Sequence, residues 1–194
     1  MQAIVFATAN PNKLQEARKI LGTGWQLSGL HDIGCTEEVP ETTGSIRGNA
    51  IQKAEYVRDR YGVDCFAEDT GLEIAALGGE PGVYSARYAG PGAVAADNIA
   101  LVLEKMAGHQ DRSAQFRTVI ALMLGNQCYT FEGILPGKIL YAPQGTGGFG
   151  YDPIFQPEGY ADSFGILSPD IKNAISHRAL ALQSFAAFMR TQTQ

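Results

Sequence analysis

The stretch from Ala114 to Leu124 is long and rich in strand formers, and Gly125-Asn126 joins it to a second such run, Gln127 to Leu135. Two strand-like runs separated by a Gly-Asn turn commit this region to a β-hairpin, which needs further strands or helices to bury its apolar side. The rest of the chain supplies both. Ala3 to Ala7 forms an apolar run that predicts a buried strand, and a helix opens near Asn12, with Asn10 as its cap, Pro11 in the first turn and Leu14, Ala17 and Leu21 on one face. A second strand is expected from Trp25 to Leu30, and Ile46, Ala50, Ala54, Val57 and Tyr61 mark a helix. Cys65 to Glu68 reads as a short strand ending at Asp69-Thr70-Gly71, followed by a Gly/Pro-rich loop from Gly78 to Gly92. Ile99, Val102, Leu103 and Met106 mark another helix, Lys138 to Tyr141 a further strand, and Leu182, Phe185, Ala186 and Met189 a final helix. Helices alternating with strands, plus a hairpin, predict an α/β fold with a mixed sheet.

At 194 residues and 45% hydrophobic content, the chain can bury one substantial core, and a single domain over residues 1–194 is expected. No apolar run approaches the roughly 20 residues of a membrane helix, and the opening residues lack the basic lead of an export signal. Cys35, Cys65 and Cys128 are widely spaced and form no CxxC pair, which suits reduced thiols in the cytoplasm. A formal charge of -5 offers no general attraction for nucleic acid, so an anionic ligand must be drawn to a local basic cluster.

Several segments can supply such chemistry. Thr8-Ala9-Asn10-Pro11-Asn12-Lys13 is a polar turn between a strand and a helix start, where free amides and a lysine attract phosphate; the plain alternative is a capped helix with a solvated lysine. Glu41, Glu68 and Asp69 are hard-oxygen donors of the kind Mg2+ takes, with phosphates completing the shell, although acids in turns are commonly just solvated. Two adjacent acids at the end of a strand repel each other and invite a cation. Asn49 and Lys53 lie one helical turn apart at the border of an apolar stripe, a position that faces a cleft or lets a lysine snorkel past the core.

Gly145-Thr146-Gly147-Gly148-Phe149-Gly150 fits the letters of a dinucleotide fingerprint, but Tyr151-Asp152-Pro153 blocks the helix that must follow. Close approach to a flat ring, with Phe149 and Tyr151 offering stacking, suits the segment better. Lys172-Asn173 and Ser176-His177-Arg178 concentrate donors at the beginning of the last helix, an edge for a base or a phosphate.

The order of these motifs, Thr8-x-Asn10-x-x-Lys13, Glu41, Asn49-Ala50-x-x-Lys53-Ala54, Glu68-Asp69-Thr70-Gly71-Leu72, Pro81-Gly82-x-Tyr84-Ser85-Ala86-Arg87-Tyr88, Gly148 to Pro153, Lys172-Asn173 and Ser176-His177-Arg178, resembles the inosine triphosphate pyrophosphatase family from Thr8 to Arg178. The resemblance implies a long mixed sheet flanked by helices, two lobes with a cleft between them and a homodimer. It also implies Mg2+-dependent cleavage of ITP, dITP and XTP to the nucleoside monophosphate and pyrophosphate. Thr8, Asn10 and Lys13 would hold the phosphates, Glu41, Asp69 and the neighbouring Glu68 would serve the metal, and Asp69 would activate water. Asn49, Lys53 and Thr70 would contact substrate, Phe149, Gly150, Tyr151 and Asp152 would shape the base pocket, and Lys172, His177 and Arg178 would grip base and phosphate. Three positions depart from the family pattern: Glu68 stands where Asp is common, Ile46 where Phe is usual and Gln144 where Arg often precedes the glycines. A Maf-like pyrophosphatase with other base preferences and a noncatalytic nucleotide sensor are the competing readings.

Overall fold

Ile4, Val5 and Phe6 are all buried, with no polar residue alternating between them, which is the signature of a strand covered on both faces. They belong to β1 (Gln2–Phe6), which pairs in parallel with β2 (Trp25–Ser28) and with β3 (Cys65–Ile74) in a computed structural model that describes residues 2–192. Between β1 and β2 runs α1 (Pro11–Leu21), where the Asn10 side chain accepts from the amides of Asn12 and Lys13 and Pro11 occupies the first turn, as the sequence predicts. Helix α2 (Ile46–Tyr61) buries Ile46, Ala50, Ala54 and Val57. It ends where Gly62 adopts the left-handed conformation at φ 65° and its amide reaches back to the Arg58 carbonyl.

β3 corrects the sequence reading. The strand does not stop at Glu68 but continues through Asp69-Thr70-Gly71 to Ile74. Its far end is held by antiparallel pairing of Leu72 and Glu73 with β4 (Pro81–Gly82), and Leu72 and Ile74 are fully buried. Pairing and burial at both ends override the turn chemistry of the Asp-Thr-Gly tripeptide. Adjacent residues of a strand point to opposite faces, so Glu68 and Asp69 do not share a side as two acids at a turn would.

The helix α3 (Ala95–Lys105) and the hairpin of β5 (Ser113–Leu124) and β6 (Gln127–Ile139) follow as expected. The separate strand expected near Lys138–Tyr141 is absent. β6 itself extends to Ile139, and its last residues pair antiparallel with an unanticipated strand, β7 (Phe155–Pro157). A short helix, α4 (Pro169–Ile175), also escaped the sequence reading; Ser168 caps it and Pro169 opens it. The chain closes with α5 (His177–Gln192). The strand order is β2-β1-β3-β5-β6-β7, with β4 beside β3, and this mixed sheet with its helices gives the expected α/β class.

Residue packing separates the chain into two compact units, one formed by residues up to Asp69, Thr118–Gly133 and Arg178 onward, the other by Thr70–Arg117 and Ile134–His177. The first has a core around Phe6, Phe66, Ile120, Leu122, Leu182 and Phe185. The second is built on Leu72, Ile74, Met106, Phe116, Phe155 and Phe164.

In the first unit Phe66 stacks on Phe6 at 4.4 Å and packs on Phe185 at 4.8 Å. Phe66→Ala should therefore cost about 3–5 kcal/mol of unfolding free energy, measured as a lower urea midpoint at unchanged slope. A loss below about 1 kcal/mol would show that the ring stack is not what holds the first unit together.

Candidate functional site

The turn after β1 is closed by its own side chains. Thr8 Oγ1 accepts from the Asn10 amide at 3.1 Å, and Asn10 Oδ1 accepts from the amides of Asn12 at 2.9 Å and Lys13 at 3.4 Å. From the first turn of α1, Lys13 reaches back to Glu68 on β3, with Nζ 3.2 Å from Oε1. Burial lowers the Lys13 pKa, with the Glu68 carboxylate acting in the opposite sense.

Glu68 accepts from Arg178 on α5 through Nε at 2.9 Å and Nη2 at 2.8 Å, a forked pairing that Lys could not reproduce. The remaining guanidinium nitrogen, Nη1, is paired with Glu16 of α1. Burial would push the Glu68 carboxyl upward, but the charges of Arg178 and Lys13 outweigh it and bring the pKa down to about 2. Burial by itself would lower the Arg178 pKa, and the two carboxylates instead raise it. Glu16 was missed in the sequence although it follows Lys13 by three residues on the same helical face.

Asp69, on the opposite side of β3, meets α2. Its Oδ2 accepts from Asn49 Nδ2 at 3.3 Å, and its Oδ1 lies 3.4 Å from Lys53 Nζ. Lys53 Nζ also lies 2.5 Å from Glu41 Oε1, so one ammonium joins both acids. Burial raises the Asp69 pKa in spite of Lys53 and Lys13. The Asn49 amide is fixed in orientation because the Thr43 backbone N–H, which can only donate, points to Oδ1 at 3.1 Å, leaving Nδ2 for Asp69.

The segment carrying Glu41 is stitched to α2 from both sides. Thr42 donates its amide to Gln52 Oε1 at 2.8 Å and receives Gln52 Nε2 on its hydroxyl at 2.9 Å. Glu37 Oε1 accepts from Tyr56 Oη at 3.1 Å, Tyr61 Oη at 2.8 Å and Arg60 Nε at 2.6 Å. Thr43, Gln52 and Glu37 were not singled out in the sequence, since nothing local marks a loop residue and a helix residue six or more positions away as partners.

The second unit gathers a separate group. Asp152 is buried, and its Oδ2 accepts from the Phe149 amide at 2.7 Å and from Lys172 Nζ at 2.6 Å. Lys172 Nζ also stands 4.3 Å from the centre of the Phe149 ring, a cation–π contact. Gly148 has φ 73°, and a Cβ there would lie 2.0 Å from Asp152 Oδ2, so no larger residue fits beside this carboxylate. Gly150 also takes positive φ, at 60°.

Three expectations change here. Tyr151 is buried in the core of the second unit and its hydroxyl donates to the Ser85 carbonyl at 2.7 Å, so it supports the loop from behind rather than offering a stacking face. His177, read as part of a donor edge, is instead buried at 3% exposed and stacks on Phe116 at 4.6 Å. Lys172 lies on α4 rather than at the start of the last helix. Thr70, half-buried on β3, belongs with this second unit, as do Phe149 to Asp152, Lys172 and His177; the other predicted residues belong to the first.

Among the described residues no group of three or more His, Cys, Asp or Glu gathers to hold a metal unaided. Glu41 and Asp69 nevertheless direct oxygens at one cationic atom, Lys53 Nζ. Two hard carboxylates with the remaining positions left to phosphate and water are what Mg2+ commonly takes from a protein, so these residues fit the ion.

The family model of the Ham1 family matches residues 4–188. The chain belongs to the Ham1 family. Among curated relatives, the dITP/XTP pyrophosphatase of Flavobacterium johnsoniae is 51% identical over 93% of this chain and 94% of its own length. That of Porphyromonas gingivalis is 48% identical over 97% of this chain and 98% of its own length. A solved Ham1 protein from Coxiella burnetii superimposes with a TM-score of 0.90 at 38% identity, covering 98% of this chain and 100% of that one. Family membership bears out the resemblance drawn from the ordered motifs.

Glu68→Gln would leave the fully buried Arg178 with Glu16 as its remaining carboxylate and should destabilise the Ham1 fold by about 3 kcal/mol near pH 7. Because the Glu68 pKa falls from 4.5 to about 2 on folding, its contribution is present above pH 4.5 and is lost as pH falls toward 2. Urea midpoints at several pH values should show the wild type losing stability over that window more steeply than Glu68→Gln; parallel curves would refute the assignment.

Proposed function

We propose that this chain hydrolyses the deaminated purine nucleoside triphosphates ITP, dITP and XTP to the nucleoside monophosphate and pyrophosphate, clearing damaged nucleotides from the pool. The observation that carries this reading is the buried Asp69 carboxylate, joined to Glu41 through Lys53 and oriented by Asn49. The dITP/XTP pyrophosphatase name of relatives at up to 51% identity over almost their full length supports it.

Thr8, Asn10, Lys13 and Lys53 are assigned to the triphosphate. Glu41 and Asp69 would hold Mg2+, which would neutralise phosphate charge and so ease attack at phosphorus. Glu68 is assigned a supporting role, because its oxygens are occupied by Arg178 and Lys13; it fixes the position of the lysine. Asp69 takes a proton from water as the water oxygen bonds to the α-phosphorus, and the bond from that phosphorus to the bridging oxygen breaks to release pyrophosphate. Burial raises the proton affinity of this carboxyl, which suits a general base. Most of the catalytic effect is then positioning and charge neutralisation by the lysines and the orienting amide of Asn49.

Phe149, Gly150, Asp152, Lys172, His177 and Thr70 are assigned to base recognition, with Tyr151 holding the loop in shape; Arg178, engaged by Glu68 and Glu16, is assigned to support the phosphate-binding lysine through Glu68. An ammonium anchored by Asp152 beside the Phe149 ring offers donors to a 6-oxo purine. Adenine presents an amino group at that position, and donor facing donor leaves both unpaired, so ATP should be a poor substrate. The free thiols of Cys35, Cys65 and Cys128 suit a cytoplasmic setting. A homodimer is the assembly to test by light scattering.

A Mg2+-dependent panel of ITP, dITP, XTP, ATP, dTTP and UTP, scored for pyrophosphate against orthophosphate, tests the proposal. Pyrophosphate from the first three is expected; orthophosphate alone, or a preference for dTTP and UTP, would end it. Asp69→Asn should lower kcat by about 10²-fold or more with the fold retained. Near wild-type turnover in that variant would remove Asp69 from the mechanism.

A further inference from the structure

We propose that Lys53 is a place-holder for the divalent cation, offsetting part of the charge of Glu41 and Asp69 before nucleotide binds and releasing them only when a triphosphate gives its ammonium another anion. The inference rests on the assignment of Glu41 and Asp69 made above and adds an order of events to it. The Lys53 side chain is 7% exposed, and its Nζ lies 2.5 Å from one acid and 3.4 Å from the other. Those contacts place the ammonium against the same oxygens a metal would use. An ion arriving alone would set a double positive charge beside a retained ammonium in a poorly hydrated place, where like charges repel more strongly than in water.

The neighbouring lysine follows the same pattern. Lys13 is paired with Glu68, so both cations assigned to phosphate stand on carboxylates. Lysine suits such an exchange because its ammonium is a point charge on a flexible stem, with no fixed fork to break. One of the two negative charges on Glu41 and Asp69 is thereby already offset, and free Mg2+ gains less by binding than it would at two unpaired carboxylates. A nucleoside triphosphate reverses this: its phosphates take the lysines, its own oxygens complete the coordination shell, and nucleotide and ion each raise the affinity for the other.

Calorimetric titration of the nucleotide-free full chain with Mn2+ tests the exchange. Lys53→Met should bind the ion at least about tenfold more tightly than wild type, within the range of ordinary coupling between sites. Equal or weaker binding overturns the proposal. Adding Glu41→Gln to Lys53→Met should abolish the tightened binding; if it persists, the ion sits elsewhere and the assignment of Glu41 falls with the proposal. Lys53→Gln keeps an amide donor between the acids and guards against misfolding of the methionine variant. Mn2+ should raise its Tm by several degrees more than that of wild type, on the order expected for ligand linkage, and an equal rise overturns the idea.

Discussion

The fork of Arg178 on Glu68 is the interaction on which the first unit's chemistry depends. A guanidinium that is 1% exposed is very costly to bury without partners, and Glu68 and Glu16 supply them from a strand and a helix distant in sequence. Because Glu68 is held in this way, it can also hold Lys13 at the start of α1. The next residue along the strand, turned to the other side, is left to α2 and its lysine. One strand thus serves a structural ion network and the carboxylate assigned to catalysis with consecutive residues; burial raises the proton affinity of both, but only at Glu68 do the neighbouring charges, Arg178 and Lys13, outweigh it.

Much of this was legible before any coordinates. Asn10 and Pro11 announced the start of α1, the apolar stripe announced α2, and Gly125-Asn126 announced the hairpin, because each is a local signal with a local cause. β3 was cut short because Asp-Thr-Gly looks like a turn when its partners are unknown. β7 and α4 went unseen because each is too short to show a period and owes its form to pairing or capping. The sequence offers the candidate residues and the order of their motifs, but not how they are wired together. Nothing in the string says that Glu68 faces Arg178 while Asp69 faces Lys53, or that Thr43 sets the direction of the Asn49 amide.

The second unit repeats the principle with different means. Asp152 is a buried acid whose oxygen gathers a backbone amide and an ammonium, and the glycine before Phe149 exists to let that carboxylate come close. Tyr151, which reads from sequence as an aromatic platform, is instead a strut. Aromatic residues in a glycine-rich loop are ambiguous between these uses until burial is known.

The parallel pairing of β3 with β1 aligns Cys65 with Val5 and Phe66 with Phe6. A slip of that alignment by a single position would send every side chain of the strand to the other face, exchanging the faces of the two acids and moving Phe66 out of its stack to the face that carries Asp69. A single-residue insertion or deletion between Cys65 and Gly71 would therefore turn the acids away from their partners, and the loop from Glu41 to Thr43, tied to α2, is the other segment whose length matters to them.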